Sequence, residues 1–150
     1  MASVKTMVGE KILIKIGDGA TPTETFSHPC MINLDRGLAF SSDSTDVVVP
    51  DCDDPSAVAW KEVYKDGLSL QISGGGLLHT LSLETYFNWM TVDTSKNVQV
   101  LFNVSAADGG GYISGAFKLT SFGISGTRKN NATVDLTLMS HGALTWTDAS

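Results

Sequence analysis

The chain has 150 residues, 42% apolar and 17% charged, a balance that excludes a disordered composition and suits one domain with a sizeable core. Ten basic residues against sixteen acidic ones leave a net charge of −6, which excludes the clustered Lys/Arg footprint of a general nucleic-acid binder. Fifteen Gly and only four Pro suit a turn-rich β-protein better than a helical bundle.

At the start, residues 12–16 make an apolar stretch interrupted by Lys15. It is too short for a secretory signal core, and no run approaches membrane-spanning length. The expectation is a chain made and kept in a cytoplasm, where Cys30 and Cys52 stay as thiols. Period-two alternation then dominates. Ile12, Ile14 and Ile16 share one face, as do Cys30, Ile32 and Leu34, and Leu68, Leu70 and Ile72. Val98, Val100, Phe102 and Val104 repeat the pattern, followed by Ile113, Phe117 and Leu119, and by Val134, Leu136 and Leu138. Such alternation places one face of each segment on a core. Gly- and Asn/Asp-rich breaks at 17–19, 108–111 and 129–131 separate them. About seven strands are predicted, in an antiparallel β-sandwich or half-open barrel spanning residues 1–150 as a single domain.

One segment departs from that period. In residues 79–93, Leu83, Phe87 and Met90 recur at helical spacing with Tyr86 beside them, which predicts one short flanking helix packed through that stripe. Thr80 or Ser82 is positioned to cap it, and Glu84 suits its first turn. Residues 40–65 read differently again. Val47, Val48 and Val49 form a β-branched run, but the flanking 41–44 and 50–59 are polar or turn-like, so the whole reads as a long loop leaving the barrel. Loops of that length are uncommon in a compact domain unless they have a task.

Several motifs suggest chemistry and fail on spacing. Asp51, Cys52, Asp53 and Asp54 lack the alternating ligands, central Gly and closing Glu of a calcium loop, and one Cys without a nearby His does not make a zinc site. With Pro55 they read as a turn. Gly74, Gly75 and Gly76 precede the helix but lack the Gly-Lys-Ser/Thr of a phosphate loop, so they read as a tight strand-to-helix turn with positive-φ glycine. His28, His79 and His141 sit in no nucleophile elbow, and Ser140 beside His141 is only a sequence neighbour. No enzyme and no cofactor are expected. A carbohydrate-binding sandwich using Trp89 or Trp146 with the loop at 108–111 is the alternative.

The order of these segments resembles the major tail (tail tube) proteins of long-tailed bacteriophages and the related gene transfer agents. The resemblance covers about residues 11–146. It rests most on Trp60-Lys61-Glu62, then Gly67, then Ile72-Ser73-Gly74 with Gly76, preceded by residues 45–49, and on the closing hairpin through Trp146. Gly67 is displaced within that interval, and Leu70 stands where relatives often carry an aromatic residue. The resemblance implies a structural virion protein, assembled in the host cytoplasm and located in the tail. Its subunits form rings of six that stack into a hollow tube for genome delivery, with strands joining into a continuous inner barrel and the long loop at about 40–65 acting as an assembly arm that reaches a neighbouring subunit or ring. The implied partners are further copies of the chain, the tail tip or initiator, tape measure and tail terminator proteins, and double-stranded DNA passing without specific binding. Val47, Val48, Val49, Trp60, Glu62 and Tyr64 are the expected intersubunit contacts, Trp60 and Tyr64 being the natural anchors. Asp35, Asp43 and Asp46 are the expected acidic residues of the lumen, where carboxylates keep DNA from adhering. The tube of a contractile secretion or tailocin apparatus shares these features.

Overall fold

A computed structural model describes residues 3–19, 23–27 and 31–149. Its strands are β1 (Ile12–Gly17), β2 (Phe26–Ser27), β3 (Asp35–Val49), β4 (Trp60–Leu77), β5 (Lys96–Phe102), β6 (Gly111–Ser125), β7 (Thr133–Ser140) and β8 (Thr145–Asp148). A 3-10 turn, Thr80–Ser82, leads into the helix α1 (Leu83–Thr91). All eight strands belong to one antiparallel sheet in the order β2-β1-β5-β6-β7-β4-β3. β8 pairs with residues 111–114 of β6 and continues the line of β7 after a kink at 141–144. Arg36, near the start of β3, donates a 2.7 Å hydrogen bond to the Ile12 carbonyl of β1. The two ends of the sheet are thereby drawn toward each other, which gives the half-open barrel expected from the alternation.

The core follows the period of two. Ile14, Val98, Val100, Ile113, Phe117, Val134, Leu136, Leu138, Leu70 and Ile72 are buried on one face of the sheet. Many alternating partners, among them Lys15, Gln99, Ser114, Asp135 and Thr137, are polar and at least partly exposed, so a one-residue slip in these strands would turn the apolar set toward water. α1 closes this face, packing mainly on β6. Its buried side chains are Tyr86 and Trp89, three residues apart; Phe87 is 59% exposed and Met90 41%. The helix is therefore rotated from the stripe read in the sequence. Four large apolar residues lie within five positions, so periodicity alone does not choose the face. Packing chooses it: the Trp89 indole N–H donates to the Thr94 carbonyl at 3.0 Å, and Tyr86 stacks against Phe122. Ser82 occupies the N-cap position but makes no side-chain cap bond.

The segment read as a strand around Ile32 is not one. Cys30 and His28 lie outside the described residues; Met31 and Ile32, adjacent in sequence, are both fully buried, and Leu34 is exposed. This stretch crosses the end of β4, where the three glycines lie. They are strand residues, not a turn. A Cβ on Gly74 would stand 2.7 Å from Ile32 Cγ2, and one on Gly76, whose φ is +153°, would run into the Asn33 side chain. Asn33 then clamps Leu77, accepting from its N–H and donating to its carbonyl, both at 2.9 Å. Glycine is needed there to let a second layer of backbone pass close by.

The largest departure concerns residues 40–65. They form no loop but the outer part of a hairpin made by β3 and β4, with only 50–59 as its tip. Pairing is continuous from Asp35↔Gly75 to Val49↔Trp60, interrupted once where Gly67, at φ +69°, makes a bulge opposite Ser42 and Asp43. Seven residue pairs lie beyond that bulge, an arm about 23 Å long at the usual strand rise.

Candidate assembly surface

The arm buries almost nothing of itself. Every residue of β4 from Trp60 to Leu68 is exposed, Trp60 at 87% and Leu68 at 78%, so the alternation of Leu68 with Leu70 continues beyond the point where the core ends. Residues directly opposite each other in an antiparallel pair point to the same face. One arm face accordingly carries Val49 with Trp60, Val47 with Glu62, and Thr45 with Tyr64. The Tyr64 hydroxyl donates to Glu62 Oε2 at 2.8 Å on that face. The other carries Val48 with Lys61 and Asp46 with Val63, and Lys61 comes within 4.0 Å of Asp46. Five of the six expected contact residues thus share a face, and Val48 lies behind them.

The expected lumen acids divide in the same way. Asp35 and Asp43 continue the sheet face that points away from the core, whereas Asp46 lies on the opposite arm face. Asp135 of β7, opposite Gly75 of β4, joins Asp35 and Asp43 on the outward face. It could have been found by extending the Val134–Leu136–Leu138 alternation by one residue. Around these acids the outward face of β3, β4, β7 and β6 carries the short polar residues Ser41, Ser69, Ser73, Ser121 and Thr137, with the longer Gln71, Met139 and Lys118 side by side at one level. Ser41 and Ser69 hydrogen-bond across it at 2.8 Å.

Two strand edges of this four-stranded region have no strand beside them among the described residues. β5 pairs with β6 only up to Phe117, leaving residues 118–125 open on that side, and β3 is the last strand of the sheet. The open part of β6 starts at Lys118, which forms a 2.6 Å ion pair with Asp93. Hydrogen bonding to Lys118, then its charge, holds the Asp93 carboxyl below its ordinary range. Where β4 leaves β7 at the root of the arm, Leu70 N–H donates to Ser140 Oγ, and a groove of about 900 Å³ opens between Phe40, Leu68 and Leu144.

The motifs set aside in the sequence find structural roles. Asp51 Oδ1 accepts from Asp53 N–H, and Asp54 Oδ1 from the Ser56 hydroxyl, so the acidic run is the turn at the arm tip, with Cys52 exposed among it. The Ser140 oxygen is engaged by Leu70 and not by His141. Trp89 is 3% exposed with its N–H satisfied, which removes it as a sugar platform. Trp146 packs on Phe102 and bonds to Asp148. No helix among the described residues is long and apolar enough to cross a membrane.

Comparison with solved structures finds the same fold in tail tubes. The tail of an empty gene transfer agent particle, refined with C6 symmetry, superposes with a TM-score of 0.70 at 22% identity, over 95% of this chain and 99% of that one. The native gene transfer agent virion gives 0.68 at 20%, with the same coverage. The SPP1 tail tube gives 0.54 at 9%, over 95% of this chain and 80% of that one. Comparison with curated protein sequences gives no match. The family described as phage tail tube protein matches residues 6–146, nearly the whole length, and takes in the arm, both open edges and the outward face. The chain belongs to the phage tail tube protein family.

Proposed function

We propose that six copies of this chain close into a ring by pairing the open edge of β3 in one copy with the open edge of β6 in the next, and that these rings stack into the tail tube. The observation that carries this is the pair of open edges bounding the strands β6-β7-β4-β3. Residues 118–125 of β6 and 35–42 of β3 offer stretches of equal length. Four successive antiparallel strands leave β3 and β6 running in opposite directions, so the junction between copies is itself antiparallel and no edge remains. Sixfold symmetry, taken from the similar gene transfer agent tail, then gives a barrel of twenty-four strands. With strands about 4.8 Å apart and tilted about 40°, its backbone radius is about 24 Å. Short side chains on the inner face leave a bore about 40 Å wide, enough for a hydrated DNA duplex.

The outward face lines that bore in this arrangement. Asp35, Asp43 and Asp135 then present carboxylates to the DNA backbone among hydroxyls, and Lys118, the one cation of these four strands on that face, is held by Asp93. Asp46 stands outside the row. The tube belongs to a particle tail, is assembled in the host cytoplasm, and meets the tail tip or initiator, the tape measure and the terminator at its ends and core. No step of this role requires catalysis. The arm meets neighbouring copies through Trp60, Tyr64, Glu62, Val47 and Val49, with Val48 on its reverse. Negative-stain imaging of concentrated protein tests the proposal, with sixfold rings and tubes expected. Material that stays monomeric at high concentration, even with its cognate initiator added, would overturn it.

A further inference from the structure

The helix carries an apolar row that the single chain leaves uncovered. Leu83, Phe87 and Met90 recur at helical spacing, yet α1 turns Tyr86 and Trp89 to the core, leaving Phe87 and Met90 exposed and Leu83 half-buried. The strands beneath fix where this row points. α1 begins soon after Leu78, which bonds to Ala132 at the Ser125 end of β6, and ends just before Asp93, which pairs with Lys118. It therefore runs back along the open stretch 118–125, with Tyr86 against Phe122. Ala116, next to buried Phe117 and so facing away from the core, accepts from His141 N–H beyond the end of β7. For L-residues that bond sets the side of β6, seen from the core, on which β7 lies. A right-handed helix running this way with Tyr86 and Trp89 inward points Leu83, Phe87 and Met90 to the other side, over the open edge.

Resting on the tube reading, we infer that this row packs on Phe40 and Leu68 of the adjacent copy in the same ring, so that α1 of each subunit roofs the seam between the two. Matched end to end, residues 118–125 of one copy and 35–42 of the next put Leu38 opposite Phe122. Phe40 then falls beside Thr120, where β6 bulges, under the second half of α1. Phe40 lies on the core face of β3, opposite buried Leu70, yet it is 65% exposed in the single chain. With Leu68 and Leu144 it walls the groove of about 900 Å³ at the arm root. Within one chain the row and the groove cannot meet, because three strand spacings, about 14 Å, separate β6 from β3. Each copy has one row at one edge and one groove at the other, so the contact is head-to-tail and closes with the ring. It also supplies what backbone pairing lacks, a preference for which way up the incoming strand lies. A one-residue slip would turn Phe40 from under the helix into the polar bore.

The test places Phe40→Cys and Met90→Cys, singly and together, in a Cys52→Ser background, and adds the pair Phe87→Ser/Met90→Ser. Mild oxidation of assembled protein carrying both new cysteines should give disulfide-linked multimers of up to six chains on a non-reducing gel, and neither single variant should. The separation within one chain is beyond disulfide reach, so each link reports a neighbour. The serine pair should melt like wild type, both sites being exposed, yet raise the concentration needed for rings about tenfold or more. Should it melt early instead, the cross-link decides alone. Rings or tubes that form without such links, or serine-pair rings at wild-type concentrations, would overturn the inference and leave the tube reading intact. Serine-pair rings that form normally but fail to stack would move the row to a contact between rings and overturn it equally. Absence of both rings and tubes in wild type would overturn the tube reading itself.

Discussion

Replacing Trp60 by Ala separates what the arm does for the monomer from what it does for the tube. An indole buried at a contact removes about 150–250 Å² from water, and Trp60 is 87% exposed, so nearly all of that area remains available to a neighbour. At about 25 cal/mol per Å², the upper bound is about 4–6 kcal/mol. The methyl that stays behind and the ordering of the arm reduce this to the range of aromatic hot spots, about 2–4 kcal/mol. At about 1.4 kcal/mol per tenfold, the lowest concentration at which tubes grow should rise about 30- to 700-fold. The isolated chain should be indifferent, because Trp60 packs on little of it. A change within about 0.5 kcal/mol corresponds to a melting shift of no more than about 2 °C. Pelleting as a function of concentration reads the first quantity and circular dichroism melting the second. A variant whose pelleting curve overlays that of wild type would refute the placement of Trp60 in a contact. One whose melting point fell by about 10 °C would show that the indole supports its own chain instead.

Three further perturbations probe the frame that carries the arm. Gly75→Ala would place a Cβ 2.5 Å from the Val134 carbonyl oxygen, and should cost about 1–3 kcal/mol in a denaturant melt; Gly123→Ala, with nothing within 4 Å, should be neutral beside it. Asp93→Asn removes a carboxylate whose pKa Lys118 lowers from the ordinary 3.8. The stabilisation from that pair is present above the ordinary value and lost as pH falls through the lowered one. Wild type should therefore slightly exceed the variant in urea midpoint at about pH 7, and the two should converge at about pH 2. Asp66→Asn relieves the like-charge opposition with Asp43 at the bulge and should tighten arm pairing by about 0.2–1 kcal/mol. Slower amide exchange across residues 43–49 and 60–66 would show it, and unchanged exchange would refute it.

Wherever one sheet face meets the core, the sequence was legible. Ile14, Val98, Val100, Val134, Leu136 and Leu138 are buried as their alternation requires, because water on one side and hydrocarbon on the other impose the period. Reading failed where a different constraint acted. Met31 and Ile32 are both buried because the chain crosses the sheet there, and such a crossing has no period. The three glycines of β4 mark the place crossed, a clearance that resembles turn chemistry in one dimension. α1 offered apolar residues at too many angles, and the choice of Trp89 over Phe87 depended on a hydrogen-bond acceptor five residues further on.

The arm was the hardest part to read, and the reason bears on its role. A strand is recognised from sequence by the contrast between its two faces, and in the monomer both arm faces meet water. Nothing within the chain therefore selects an apolar-polar alternation for Ser41 to Asp46 or for Lys61 to Lys65, and these residues look like loop. Yet Val47, Val49, Trp60 and Tyr64 fall on one face once the register is known. In a protein that ended at its own surface, such a row on a protruding, unpaired hairpin would be an aggregation liability without compensation. It is consistent with selection only if the face is covered after folding. In the proposed tube the row follows the pattern of a core whose other half belongs to another copy, and the long hairpin would fold against its neighbour's surface instead of its own.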